Sequence, residues 1–260
     1  MARFEGMTAI VTGAAAGIGG AIAMQLAAEG STVFAADIDG SALQHDAPGI
    51  INHVCDMTDR QQVEAMVERM VADHGRIDHL FNNAGFGNLE ETPDIQDENW
   101  EKVFKINVTA VMYAARAAIP HMRRQGGGTI TNTASISGVA GDYGHTAYNA
   151  SKGAVIQYTR TMAIDHAIDN IRVNAFCPGL ILGTRLTGMM TPEVQAMWRE
   201  IIPMGRGGTA DEMAKVALFL VSDAASYMTG SIVIADGGIT AHTGQPNLVK
   251  FVKELMAKHG

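Results

Sequence analysis

The chain is poor in the features that would point away from an ordinary α/β protein. Only two of its 260 residues are cysteine, Cys55 and Cys177. Each lies in an apolar run, so a disulfide framework is not expected and a reducing compartment is. Lys and Arg number 19 against 27 Asp and Glu, which gives a formal charge of −8. With no basic tract, neither a nucleic acid nor a membrane surface is an expected partner. No apolar stretch reaches the 18 or more residues of a membrane span. Without a leader pattern at the N-terminus, the expected location is cytoplasmic. Internal repeats, domain linkers and a metal-ligating cluster are also missing, and no metal is expected.

What is abundant is material for one core: 47% of the residues are hydrophobic and 29 are glycine. Apolar, β-rich runs at 7–12, 32–36, 50–55, 79–81, 129–132, 172–176 and 231–235 alternate with helical patterns at 17–29, 60–74, 98–124, 148–168 and 211–220. That alternation predicts an α/β fold with a parallel sheet in a single domain spanning 1–260. Pro120 falls inside the third helical pattern and predicts a kink in its last turn. The segment 180–203 is irregular and reads as a flap over the substrate, with a short helix near 193–201. Its Met189, Met190, Met197 and Met204 suit either a plastic apolar lining or core packing.

Two local patterns carry chemistry. Tyr148 and Lys152 stand four residues apart, which places both on one face of a helix. A phenol near pKa 10 is a poor base at neutral pH, and lowering it to about 7 takes roughly 4 kcal/mol. A positive charge about 4 Å away supplies that amount at an effective dielectric of about 20, while burial works against it. A second cation, such as an oxidised nicotinamide, would help. The other pattern is Gly13, Gly17 and Gly19, which follow a strand and open an Ala-rich helix. Strand, glycine loop and helix start describe a phosphate cradle. After the second strand stands Asp37, placed to bind the adenosine ribose hydroxyls.

These residues resemble the short-chain dehydrogenase/reductase family from about residue 7 to 238. The same order continues in Asn82, Asn83, Ala84 and Gly85 after the fourth strand, in Asn107, in Ser135 thirteen positions before Tyr148, and in Pro178 and Gly179. The resemblance implies a Rossmann-type, doubly wound, seven-stranded parallel sheet flanked by helices, NAD as cofactor, and a homotetramer. It implies Tyr148 as general acid/base and Lys152 as the residue that tunes it and binds the nicotinamide ribose. Ser135 would hold the reacting oxygen, with Ser137 as the alternative, and Asn107 would hold a relay water. Gly13, Gly17, Ile18, Gly19, Asp37, Asp56, Met57, Asn83, Pro178, Gly179 and Ile181 would line the cofactor site. For Asp56, Met57 and Asn83 the alternative is loop capping. Family members carry Thr five positions after the Pro, where this chain has Gly183 and then Thr184. Either the loop shifts or Thr184 is not a nicotinamide ligand. His145, close to Tyr148, reads as a pocket-rim residue.

The segments 141–144, 153–155, 159–166 and 236–246 also resemble bacterial dehydrogenases of meso-2,3-butanediol. That narrower likeness implies a small secondary alcohol or vicinal diol as substrate, with the ketone as the reverse substrate. Asp142 and Tyr143 are then candidate pocket-wall residues. Gln245, between Gly244 and Pro246, is a candidate contact to a neighbouring subunit's site, or else a tail cap. A tail at 241–260 follows, in which Leu248, Phe251, Val252, Leu255 and Met256 form an apolar stripe that needs a docking surface. The same-family alternative is a hydroxysteroid or aryl alcohol dehydrogenase. An NAD-binding regulator without turnover is the alternative from another class, disfavoured by the presence of both Tyr148 and Lys152.

Overall fold

The computed structural model describes residues 2–259 apart from Leu186 and Met189. Seven parallel strands form one sheet in the order β3-β2-β1-β4-β5-β6-β7. They are β1 (Thr8–Thr12), β2 (Thr32–Asp37), β3 (Ile50–Val54), β4 (His79–Asn82), β5 (Gly128–Thr133), β6 (Ile171–Pro178) and β7 (Ile232–Ala235). The helices are α1 (Gly17–Ala28), α2 (Arg60–His74), α3 (Asp97–Phe104), α4 (Ala110–Gln125), α5 (Thr146–His166), α6 (Pro192–Ile201), α7 (Ala210–Val221) and α8 (Leu248–His259).

Burial on both faces explains why the strands read as near-continuous apolar runs. In β1 and β2, Ile10, Phe34 and Ala36 join the core beneath α2 and α4, where Met66, Met70, Ala114 and Met122 are fully enclosed. Their neighbours Ala9, Val11, Val33 and Ala35 turn to the opposite core, with Ile22 and Leu26 of α1 and Leu218 of α7. Each large apolar side chain removed from water contributes about 1.5–3 kcal/mol, so both sides of the sheet are held firmly.

One helical expectation is corrected. The continuous helix expected over 98–124 is interrupted not at Pro120 but at Lys105–Thr109, a π-helical turn between α3 and α4. Its cause is tertiary: Asn107 is 1% exposed and bonded on three sides, to the Phe86 N–H at 2.8 Å, the Phe86 carbonyl at 2.9 Å and Ser151 Oγ at 2.9 Å. An extra residue in the turn points this amide inward, a device common at functional sites. Helix α4 continues through Pro120 to Gln125.

Candidate active site

Strand order reverses between β1 and β4, and the crevice beyond the strand ends at such a switch point is where α/β sheets bind ligands. The loops after β1, β2, β4, β5 and β6 all meet at that edge. Close approach explains the glycines: a Cβ on Gly19 would stand 2.2 Å from the Gly13 carbonyl oxygen and 2.5 Å from Asn83 Nδ2. The N-cap of α1, Ala16, has no side-chain cap, so the first N–H groups of the helix face the crevice. This bare helix start behind a glycine loop suits a pyrophosphate. Asp37, 8% exposed, ends β2, and its two oxygens accept the N–H groups of Ala15 and Asp39, each at 3.1 Å.

Other expected cofactor residues also have structural duties, among them the loop capping that the sequence offered as the alternative for Asp56, Met57 and Asn83. Asn83 donates to the carbonyls of Thr12 (3.2 Å) and Gly13 (3.3 Å) and accepts from Thr133 Oγ1 at 3.1 Å, so its amide ties the β1 loop to β5. Asp56 caps its own turn through the Thr58 N–H and hydroxyl, both at 2.8 Å, and the Met57 side chain is buried in the core. Pro178 ends β6, and Gly179 lies against Asp236 too closely for any side chain. The Ile181 carbonyl accepts the Thr187 hydroxyl at 2.8 Å. Thr184 lies over the glycine loop, its methyl 3.4 Å from where a Gly17 Cβ would be. Beside it, Arg185 reaches Asp39 at 2.9 Å and joins the flap to the loop after β2.

Tyr148 and Lys152 sit in the first two turns of α5, with the ammonium 5.6 Å from the Tyr148 ring centroid. Lys152 is buried and donates to the Thr133 carbonyl at 2.8 Å. A Cβ on Gly85 would lie 3.5 Å from both Lys152 Nζ and Asn107 Oδ1, so the ammonium and the π-turn amide share one corner. Asn107 also reaches the tyrosine backbone indirectly, because Ser151 passes its own hydroxyl proton to the Tyr148 carbonyl at 2.8 Å. The Asn107 side chain bonds Phe86 and Ser151, which fixes the expected relay residue in the corner that holds the Lys152 ammonium. Ser135 caps the short turn Ile136–Gly138 and meets Ser137 Oγ at 3.0 Å. Gly138 allows that turn to touch α5, since a Cβ there would be 2.6 Å from the Lys152 carbonyl carbon.

The electrostatics differ from the sequence expectation. Burial pushes Lys152 down to about 8. Burial also pushes the Tyr148 hydroxyl up to about 12, although part of the residue still meets solvent; contact with Ser135 opposes the rise and the Asp142 charge adds to it. In the protein alone, desolvation outweighs the ammonium 5.6 Å from the ring, and the phenol is protonated at neutral pH.

The substrate candidates separate. Ser135 and Asp142 lie beside Tyr148, with Ser137 between them, since its hydroxyl bonds Asp142 Oδ2. Tyr143, expected in the pocket wall, lines an open surface cavity with Gly141 and Asp142, its own side chain fully exposed at 102%. Gln245 is likewise exposed at the start of the tail, so the fold of one chain does not bury it in a site. His145 stays at the rim, its Nδ1 3.0 Å from the Asn88 carbonyl and its ring 5.9 Å from that of Tyr148. Sequence reasoning missed Ser151, Thr133 and Gly85 as supports of the Tyr–Lys pair. For Ser151 a signal existed, its position three residues beyond Tyr148, where a helical serine reaches back to a carbonyl.

Residues 13–240 match a family described as enoyl-(acyl carrier protein) reductase. The chain is 39% identical over 244 residues to the 3-oxoacyl-(acyl-carrier-protein) reductase FabG of Thermotoga maritima, covering 91% of this chain and 99% of that one. It is 36% identical over 253 residues to the meso-2,3-butanediol dehydrogenase of Serratia marcescens, covering 95% and 100%. The crystal structure of a short-chain type dehydrogenase/reductase from Mycobacterium marinum superposes with a TM-score of 0.87 at 35% identity, covering 92% of this chain and 98% of that one.

Proposed function

The chain belongs to the short-chain dehydrogenase/reductase family of oxidoreductases, and from that premise we propose that it is an NAD-dependent dehydrogenase of a small secondary alcohol or vicinal diol, running in reverse as a ketone reductase. The observation that carries this reading is that the loop after β4 packs Asn83 and Ala84 on Gly13 and Gly19 of the glycine loop and Gly85 beside Lys152, while the Ala15 N–H of that glycine loop bonds Asp37. The likeness to a meso-2,3-butanediol dehydrogenase over 95% of the chain supports the diol.

Gly13, Gly17, Ile18 and Gly19 with the start of α1 would hold the cofactor pyrophosphate, and Asp37 the adenosine ribose. Asp56, Met57 and Asn83 would flank the adenosine, and Pro178, Gly179 and Ile181 the nicotinamide. When bound, the nicotinamide accepts or gives the hydride. Tyr148 takes the proton from the substrate hydroxyl, or returns it to the ketone oxygen, at its phenolic Oη. Lys152 supports the phenolate with its charge, and Ser135 holds the reacting oxygen near Oη. Asn107 keeps α5 and the loop after β4 in register through Phe86 and Ser151.

Asp37 also supports NAD over NADP. A carboxylate about 4 Å from a 2′-phosphate costs about 4 kcal/mol at an effective dielectric of about 20, before solvent screening. A second reading, a hydroxysteroid or aryl alcohol as substrate, is favoured by the apolar exposure of Leu182, Met197, Ile201 and Met204 on the flap. We further propose a cytoplasmic homotetramer in which Gln245 reaches a neighbour's site. In support, no helix among the described residues is long and apolar enough to cross a membrane, and the α8 stripe is exposed in the single chain.

The test is cofactor reduction by the purified protein with NAD and NADP across small diols, sugars, steroids, aryl alcohols and 3-hydroxyacyl thioesters. A vicinal diol with NAD should give the highest kcat/KM. A steroid or thioester ahead of every diol would overturn the substrate, and equal efficiency with NADP would overturn the cofactor. Tyr148→Phe should cut turnover at least about 100-fold while NAD binding, followed by fluorescence, stays nearly intact.

A further inference from the structure

His145 stands at the rim of the site with one ring nitrogen in use and the other free. It is the N-cap residue of α5, and its ring centroid lies 5.9 Å from that of Tyr148 in the first turn of the same helix. Its Nδ1 is 3.0 Å from the Asn88 carbonyl. A carbonyl only accepts, so Nδ1 carries the hydrogen, and in the neutral ring Nε2 is then a bare acceptor. Nε2 bonds no other described residue and is not enclosed by the protein. A packing histidine looks different: His79 and His121, buried away from the site, engage both ring nitrogens within the protein.

The ring is also held in place. Asn88 donates from its amide to Glu90 Oε2 at 2.6 Å, and Asn99 of α3 donates to the other Glu90 oxygen at 2.6 Å. The Glu90 carbonyl accepts the Thr146 hydroxyl at 2.9 Å, and its N–H donates to the Gly144 carbonyl at 2.6 Å. Both chain neighbours of His145 are thus tied to the loop that supplies the Asn88 carbonyl. The imidazole cannot turn its bare nitrogen elsewhere without giving up the bond at Nδ1.

We propose that His145 binds substrate and determines specificity: its Nε2 accepts a hydrogen bond from a hydroxyl on the carbon next to the reacting one, so the substrate class is a vicinal diol in oxidation and an α-hydroxyketone in reduction. The proposal rests on the reading of the chain as a dehydrogenase that reacts at Tyr148. The two oxygen-bearing carbons of such a substrate are directly bonded, so one oxygen can meet the phenol while the other meets the neighbouring ring. In oxidation the reacting carbon gives a hydride to NAD and its hydroxyl a proton to Tyr148, and the second hydroxyl keeps its proton throughout. A carbonyl or an alkyl group in that second place has no proton to offer Nε2. A diketone is therefore a poor substrate for reduction. For the same reason the α-hydroxyketone formed from a diol is a poor substrate for a second oxidation.

The test compares wild type, His145→Asn and His145→Gln on 2,3-butanediol against 2-butanol, and on 3-hydroxy-2-butanone against 2,3-butanedione. Asn can still donate to the Asn88 carbonyl but leaves the place of Nε2 empty, whereas Gln can put a carbonyl oxygen there. The ratio of kcat/KM for diol to that for mono-alcohol should fall about 3- to 10-fold in His145→Asn, the value of one neutral hydrogen bond, and be largely kept in His145→Gln. Equal losses on both alcohols would mark His145 as packing and overturn the proposal. A second readout is 15N NMR of the histidine rings in wild type, with the His145 signals identified by their loss in either variant that folds. Nδ1 should be protonated and Nε2 bare, and the Nε2 signal should move upfield when 2,3-butanediol, but not 2-butanol, is added to the protein loaded with NADH. A protonated Nε2, or a signal that the diol does not move, would overturn the proposal. A signal that moves in a protein that oxidises no alcohol would refute the proposed dehydrogenase and leave His145 as the acceptor of the diol.

Discussion

At the scale of single residues, the site is built around two groups held away from their ordinary ionisation. Lys152 is lowered to about 8, so between about pH 8 and its unfolded value near 10.4 the unfolded chain keeps a proton that the folded one has released. Stability therefore rises with pH across that window, and below it the full burial penalty of about 3 kcal/mol is present. Tyr148 has the opposite sign. With its folded value raised to about 12, the native state keeps a proton that the unfolded chain loses above about pH 10, and stability falls from there upward. It follows that Lys152→Met, which removes the buried charge and one hydrogen bond, should stabilise the protein at pH 7 by about 1–2 kcal/mol, or about 3–6 °C. The same change should cut oxidation at least about 100-fold. Calorimetry and steady-state rates read the two effects separately, and a lower melting temperature would show that the ammonium is a structural anchor.

At the scale of elements, the turn at the start of α1 leaves no room for variation. Gly19→Ala would put a methyl 2.2 Å from the Gly13 carbonyl, so the loop must move by about 1 Å to relieve the contact. A displacement of that size costs up to about 100-fold where geometry matters, and KM for NAD should rise at least about tenfold while far-UV circular dichroism stays unchanged. An unaltered KM would mean that the loop does not hold the cofactor. The π-turn Lys105–Thr109 has a similar logic, with an irregular element kept in place by the bonds that Asn107 makes to Phe86 and Ser151. The Arg185–Asp39 pair adds a bridge from the flap to the loop after β2. Both partners are exposed, so this pair contributes at most about 1 kcal/mol.

At the scale of the whole molecule, α8 presents Leu248, Phe251, Val252, Leu255 and Met256 to solvent. A helix of 12 residues is marginal without packing, so this face is expected to be covered in the assembled protein. Deleting the chain after Thr243 should therefore impair diol oxidation more than NAD binding and reduce the proportion of the proposed tetramer in analytical ultracentrifugation. Gln245→Ala should raise KM for the diol by up to about tenfold, the value of one neutral hydrogen bond, with KM for NAD nearly constant. Unchanged kinetics and mass in both variants would leave the tail with no role in the site.

The strand and helix alternation, the glycine loop and the candidacy of Asp37, Ser135, Tyr148 and Lys152 were legible in the chain alone, because each depends on near neighbours or on fixed spacing. The alternation of β1 and β2 side chains between the two cores and the four-residue interval of Tyr148 and Lys152 are local geometry that follows from the chain. What long-range contacts decide was not legible. That Asn83 would brace two strands, that Asn107 would bond Phe86 and Ser151 through a π-turn, and that Tyr143 would point into solvent depend on segments brought together from 21 to 70 positions apart, or on a loop's final path. The ionisation of Tyr148 was decided there too. Desolvation is a property of everything packed around a group, and no interval in the sequence encodes its size.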